Sequence, residues 1–288
     1  MASFFLYAKD LKFAVEIYPM KKLIFLFFLA SILVSCSNDV ERAITTDLQV
    51  EGRELFRTSL ALEEGLRYAF YSFEEYQQAL TDTLPGCPLI EISEFEQKVK
   101  LTFSNNSNCP SQKVIRAGVI NLDFFYFNLR DRRVLLRYED YQVNDFKIQG
   151  ERVFDSFSNG DNQNSWMESF EDLVILDQFD NSTKITGNYE HQLLKVDNRI
   201  QSFTSSGNLS GRNLTGRPLR MTQIAPRQYV INCLDEGFVI ARAGEEVWEI
   251  FRTSDRSLAH RLTLSIEDIC NTKVAIQLSD GRLLSFSY

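Results

Sequence analysis

Five cysteines, two histidines and several adjacent carboxylates are the side chains with chemistry to offer in this chain of 288 residues. The thiols of Cys36, Cys87, Cys109, Cys233 and Cys270 suit acylation, disulfide formation or metal ligation. No Cys-x-x-Cys is present and His191 and His260 are the only histidines, so a zinc set is not expected and no cofactor is assigned. Apart from Cys36, which stands at the end of an apolar run, four cysteines remain, an even number that favours two disulfides in an oxidising compartment. Cys87 with Cys109 and Cys233 with Cys270 is the expected pairing of the three possible, because each pair brackets a segment that reads as locally paired strands. Loops of this size give about 3 to 4 kcal/mol each in the chain-entropy account of cross-linking.

The histidines do not assemble a recognisable nucleophile motif. His191 lies in a strand-like stretch, Tyr189-Glu190-His191-Gln192, and His260 near a turn, and neither adjoins a Gly-x-Ser-x-Gly sequence. Glu139-Asp140 and Glu171-Asp172 supply the paired acids that glycoside hydrolysis needs, but adjacent residues on a strand point to opposite faces, so they read as solvated charge. Asp161-Asn162-Gln163-Asn164 lacks the spacing of a calcium loop and reads as a turn. Asp82-Thr83-Leu84 resembles a short O-glycosylation pattern. The aromatic run Phe124-Phe125-Tyr126-Phe127, with Tyr138, Tyr141 and Phe146 downstream, has the makings of a glycan-stacking or lipid surface, although alternation places about half of it in a core. No catalytic residue is assigned, and the chain reads as non-enzymatic.

The chemistry expected of Cys36 comes from what precedes it. Met20-Lys21-Lys22 opens a cationic segment, Leu23 to Val34 is apolar over 12 residues, and Leu33-Val34-Ser35-Cys36 closes it. Such a run is short for a spanning helix, which needs about 20 residues, and suits the hydrophobic region of an export signal. Its last four residues resemble a bacterial lipobox, in which the cysteine takes a diacylglyceryl thioether before cleavage. Several acyl chains on one cysteine anchor stably where one does not. Residues 1–35 are therefore expected to be a signal peptide, with translation starting at Met20 because Asp10 and Glu16 suit a cationic leader badly. Residues 36–46 are expected to be a tether, and Ser37-Asn38-Asp39-Val40-Glu41 at their head reads equally as solvated linker or as something that resembles the short acidic tags of surface-exposed lipoproteins.

Removing residues 1–35, with four lysines and two acids, leaves 27 basic and 37 acidic residues and a formal charge of −10. That balance argues against nucleic acid as a partner. The hydrophobic and aromatic shares, 44% and 12%, are enough for a substantial core.

Periodicity divides the remainder. From 47 to 84, Leu55, Leu60, Leu62, Leu66, Ala69, Phe70 and Phe73 recur at helical spacing among glutamates, which predicts one or two amphipathic helices. From 85 to 288 the period is two: Val99, Leu101 and Phe103 alternate with Lys98, Lys100 and Thr102, and about a dozen such strands follow, among them Ser205 to Asn213, Arg217 to Ile224, Phe238 to Ala243 and Glu246 to Arg252. Strands joined by short turns with no helices between them predict a mainly β fold, an antiparallel meander forming a sandwich, an open barrel or a curled sheet.

Taken in order, Gly86-Cys87-Pro88, Cys109, Arg116-Ala117-Gly118-Val119-Ile120, Ile148-Gln149-Gly150, Ile185-Thr186-Gly187, Asn213-Leu214-Thr215-Gly216, Cys233, Asp268-Ile269-Cys270 and Asp280-Gly281-Arg282 resemble a group of uncharacterised lipoproteins from the Bacteroidota. The resemblance implies a fold and an outer-membrane, lipid-anchored location on the cell surface or the periplasmic face, and no catalytic residue. The sequence therefore reads as an acyl-anchored envelope lipoprotein of unknown activity, a non-enzymatic binding or adhesion module whose glycan or protein ligand the residues do not identify, with a periplasm-facing assembly or lipid-carrier module and a glycan hydrolase as alternatives.

Overall fold

The computed structural model describes residues 47–80, 84–104, 109, 114–128, 131–156, 165–197, 199–237 and 240–287. The signal segment, Cys36, the tether, Asp82-Thr83 and the Asp161 to Asn164 turn lie outside them.

The chain enters through α1 (Leu48–Glu63), capped by Asp47, whose carboxylate accepts from the Gln49 N–H at 3.0 Å. Glu64 is extended and Gly65 has φ +90, which ends the helix. Only glycine suits position 65, because a Cβ there would also sit 2.6 Å from the Tyr138 hydroxyl. Two short helices follow, α2 (Leu66–Ala69) and α3 (Phe73–Gln78), the second opened by a capping box between Ser72 and Glu75.

Thirteen strands come next, β1 (Leu89–Ser93), β2 (Lys98–Phe103), β3 (Arg116–Tyr126), β4 (Arg132–Val143), β5 (Phe146–Ser156), β6 (Ser165–Leu176), β7 (Ser182–Val196), β8 (Arg199–Arg212), β9 (Pro218–Val230), β10 (Ala243–Thr253), β11 (Arg256–Ile266), β12 (Thr272–Gln277) and β13 (Leu283–Ser287). Each pairs antiparallel with its sequence neighbours, so the sheet is a meander whose order is the order of the chain. β1 and β13 are its two edges, and the sheet is not closed between them.

The sheet curls around α1. Strands as far apart as β3, through Arg116, and β13, through Phe286, touch the same helix: Arg116 bonds Glu64, and Phe286 stacks on Phe56 at 4.8 Å. A small eight-stranded barrel fills itself with side chains, whereas a curl of thirteen strands leaves room for a helix about 10 to 12 Å wide. The start of α1 lies at one end of the curl, where Arg57 bonds Asp145 in the β4–β5 turn and Gly52 packs on Leu278 before the β12–β13 turn. At the other end, Arg67 of α2 reaches Asp235 of a one-turn helix, α4 (Ile231–Asp235), in the β9–β10 connection.

The two expected disulfides are formed, Cys87 with Cys109 and Cys233 with Cys270. Cys87–Cys109 holds the entry to β1 against the β2–β3 loop, and Cys233–Cys270 ties α4 to the β11–β12 turn.

Three local expectations are corrected. The strand read as ending at Ile224 continues to Val230, because the register shifts between Ala225 and Gln228 and leaves Pro226, which has no N–H to donate, in an irregularity. Ile231 to Asp235, read as a connection, is helical. The two strands expected at Phe238 to Ala243 and Glu246 to Arg252 are one strand, β10, that starts only at Ala243. Ile240 to Arg242 run outside any strand, and an apolar run this short cannot by itself distinguish strand from buried connection.

Candidate functional site

The polar side of α1 does not face water. Glu51, Glu54, Thr58, Ser59, Glu63 and Glu64 are all buried. They meet a belt of polar side chains on the inner face of the sheet, one or two from each strand between β3 and β10: Arg116, Tyr138 and Tyr141, Arg152, Glu168, His191, Ser205, Arg227 and Glu246.

The belt is knitted across neighbouring strands. Arg152 Nε donates to Glu168 Oε1 at 2.7 Å, the other Glu168 oxygen is 2.9 Å from His191 Nε2, and His191 Nδ1 is 2.6 Å from Ser205 Oγ. His191 lies directly opposite Ser205, and Ser205 directly opposite Arg227. Arg227 then bridges Glu246 on β10 and Glu63 on the helix, donating to Glu63 at 2.6 Å and to the Ser59 hydroxyl at 2.8 Å. Glu246 also accepts from the Trp248 indole at 2.9 Å.

At the C-terminal end of α1 the belt supplies the cap. Arg152 donates to the Leu62 carbonyl at 2.9 Å and to the Glu64 carbonyl, while the Tyr138 hydroxyl donates to the Glu64 carbonyl at 2.9 Å. Cations suit this end of a helix, where carbonyl dipoles accumulate. Arg116 grips the Glu64 carboxylate with two nitrogens at 3.0 and 3.2 Å, and Tyr141 donates to it at 2.9 Å.

Electrostatics follow burial. Glu63 is raised from 4.5 to about 7, because desolvation outweighs the attraction of Arg227. Burial would raise Glu168 as well, but Arg152 and the His191 hydrogen bond outweigh it and hold that carboxyl below its ordinary value. Arg152 and Arg116 are likewise held charged by Glu168 and Glu64 against the pull of desolvation. Nearer the start of α1, burial raises Glu54, which accepts from Thr183 at 2.7 Å and the Leu214 N–H at 2.8 Å. Glu51 meets Arg252 at 2.6 Å and lies 3.5 Å from His260.

Ser205, His191 and Glu168 reproduce the hydrogen-bond order of a hydrolytic triad. The surroundings do not favour turnover. Phe70 lies over His191 at 5.2 Å and against Phe203, Phe154 and Trp166, and the Ser205 side chain is only 1% exposed. A nucleophile needs room for a substrate carbonyl and donors to receive the oxyanion. Here Ser205 is buried beside His191 and opposite Arg227, and Glu168 is shared with Arg152. The arrangement orients side chains and holds α1 in the sheet.

A recess of a different kind lies on the outer face. Glu91, Ile92, Ser93, Glu96, Lys98, Val99, Lys100, Asn121, Asp123 and Arg137 line a groove of about 420 Å³ across β1 to β4. Lys100 pairs with Glu91 at 3.0 Å, Lys98 with Glu96 at 3.2 Å and Arg137 with Asp123 at 2.6 Å. Exposed rings stand at one end of it: Phe95 in the β1–β2 turn is 99% exposed, and Phe125 projects outward two residues beyond Asp123.

The residues singled out in the sequence are thus dispersed. His191 belongs to the belt, and His260 sits near Glu51. Glu139-Asp140 and Glu171-Asp172 are exposed pairs, but not by alternation. Each occupies a bulge, with positive φ at Asp140 and Asp172, so that both acids of a pair face solvent while Tyr138 and Tyr141 both stay buried. Gly118 makes room for the first bulge, since a Cβ there would lie 2.2 Å from the Asp140 carbonyl oxygen. Of the aromatic run, Phe124, Tyr138, Tyr141 and Phe146 are core, and Phe125, Tyr126 and Phe127 are exposed. Among the described residues, no group of three His, Cys, Asp or Glu side chains is arranged to hold a metal ion.

The belt itself was missed. Its signal was a polar residue at an inward position beside large apolar ones two places away: Arg152 before Phe154, Glu168 between Trp166 and Phe170, His191 between Tyr189 and Leu193, Glu246 before Trp248. No family model, no curated protein and no solved structure matches the chain.

Proposed function

We propose that the protein is an acyl-anchored envelope lipoprotein acting as a non-catalytic binding module, with the curled sheet as a rigid body that presents its outer face. One observation carries the reading. Arg116, Tyr138, Arg152 and Arg227 on the inner face of the sheet hold α1 and its C-terminal end, whereas a recess open to solvent lies on the outer face. A lipid carrier would need an apolar chamber, and the space inside the curl is taken by α1. A glycan hydrolase would need two unpartnered acids facing each other across a cleft, whereas the exposed pairs Glu139-Asp140 and Glu171-Asp172 sit on separate bulges and the acids of the groove, Glu91, Glu96 and Asp123, are each held by a lysine or arginine.

Anchoring rests on the Leu33-Val34-Ser35-Cys36 sequence, and the two disulfides support an oxidising compartment. The test is Cys36→Ala followed by membrane fractionation and fatty-acid labelling. The variant should lose label and leave the membrane or stay unprocessed, and unchanged acylation would refute the anchor.

A further inference from the structure

We infer that the outer-face groove over β1 to β4 binds a neutral saccharide, with Asp123, Asn121 and Arg137 as its polar floor and the exposed ring of Phe125, just beyond its lining on the same face, as the stacking surface. The inference rests on the binding-module reading above and adds to it a site and a ligand class.

The floor has the chemistry that hydroxyl arrays require. Carboxylate, carboxamide and guanidinium groups are planar and offer donors and acceptors side by side, so one group can bond two vicinal hydroxyls. Asn121, Asp123 and Arg137 project from the outer side of β3 and β4, because their neighbours Leu122 and Leu136 are turned fully inward. Asp123 is nearly buried and already bonded to Arg137 at 2.6 Å, and Asn121 donates to Glu139 at 3.2 Å. Groups fixed in this way lose little freedom when a ligand arrives.

Charge points away from an ionic ligand. Three acids, Glu91, Glu96 and Asp123, stand against three cations, Lys98, Lys100 and Arg137, and each cation has an acid partner within the lining. A site built for a phosphate or a polyanion would leave cations in excess. The groove's volume falls in the range of small-ligand sites.

The apolar side of a sugar ring needs a flat partner. Phe125 is on the same outer face as Asp123, one strand position further towards the β3–β4 turn, and Phe95 stands in the β1–β2 turn beyond Lys98. Phe127 adds a third exposed ring, with the Arg133 guanidinium 5.9 Å from its centre. Large rings left in water near a polar groove mark a surface that another molecule covers. The rings also stand at the end of the curl away from the start of α1.

The test uses the full chain purified in detergent and a panel of neutral oligosaccharides: cellohexaose, maltohexaose, xylohexaose, mannohexaose and chitohexaose, titrated by calorimetry. At least one should bind, and Phe125→Ala and Asp123→Asn should each weaken it about tenfold or more. Phe179→Ala, an exposed ring in the β6–β7 turn at the opposite end, should bind as the parent does. Thermal melts of all three variants should match the parent, which separates loss of the site from loss of the fold. Binding by none of the panel overturns the inference, as does binding that both groove variants leave intact, or binding only of heparin or of an extended peptide. In those cases Cys36-dependent anchoring still decides the envelope reading by itself.

Discussion

Arginine and carboxylate meet in two regions of this molecule with opposite consequences. On the inner belt, Arg152 with Glu168 and Arg227 with Glu63 and Glu246 are shut away from water. In the outer groove, Arg137 with Asp123 and Lys100 with Glu91 have at least one partner in contact with it. Pairing of cation and carboxylate therefore holds a helix in place inside and keeps a recess polar and open to water outside. A buried pair is costly to form and far costlier to break, because removing one partner strands the other without solvent. An exposed pair is worth little either way, since water and salt screen it.

The strongest way to break this contrast is Arg152→Met. It should destabilise the protein by about 3 to 5 kcal/mol in urea melts, because Glu168 loses the guanidinium that offsets its burial and the α1 carbonyls lose a donor. A loss under about 1 kcal/mol would mean that water reaches the belt. Next in size, Cys233→Ser with Cys270→Ser should cost about 4 kcal/mol, a few tenths more than Cys87→Ser with Cys109→Ser, since the chain between the cysteines is longer, 37 against 22 residues. Equal or reversed losses would show that strain or residual structure, not loop length, sets the order.

Glu63 sharpens the comparison through pH. Its folded value of about 7 lies above the 4.5 of the free group. Between those values the folded chain keeps a proton that the unfolded chain has released, so this group's contribution to stability falls as pH rises through the window. Glu63→Gln should flatten that part of the stability profile, with a difference of about 1 to 3 kcal/mol between its ends. A parallel profile in the variant would assign the slope elsewhere. The smallest effect is outside: Arg137→Ala should shift stability by no more than about 0.5 to 1 kcal/mol, and a larger change in a melt would make the groove part of the core.

Alternation was legible along most strands with one buried face, and it located β2 to β7, β12 and β13 to within a few residues. The disulfide partners were legible because each pair brackets a local unit of chain. The bulges at Asp140 and Asp172 were not, since an extra residue leaves composition unchanged while it resets which side chains face outward. Nor was the end of β9, where Pro226 reads as a stop but is absorbed in an irregularity. The candidate groove was half visible: the aromatic run drew attention to β3, but its polar floor comes from four strands whose outward residues looked like ordinary solvated charge.

By itself the sequence determined the mainly β meander, the helical entry and the cysteine pairs, because period, turn residues and local spacing are properties of neighbouring residues. Only the tertiary structure decided where the polar face of α1 goes. Its glutamates are spaced like those of any surface helix, and they are buried because strands from β3 to β10, up to about 130 residues apart along the chain, curl until their arginines meet them. That meeting is a matter of long-range closure, which no local period records.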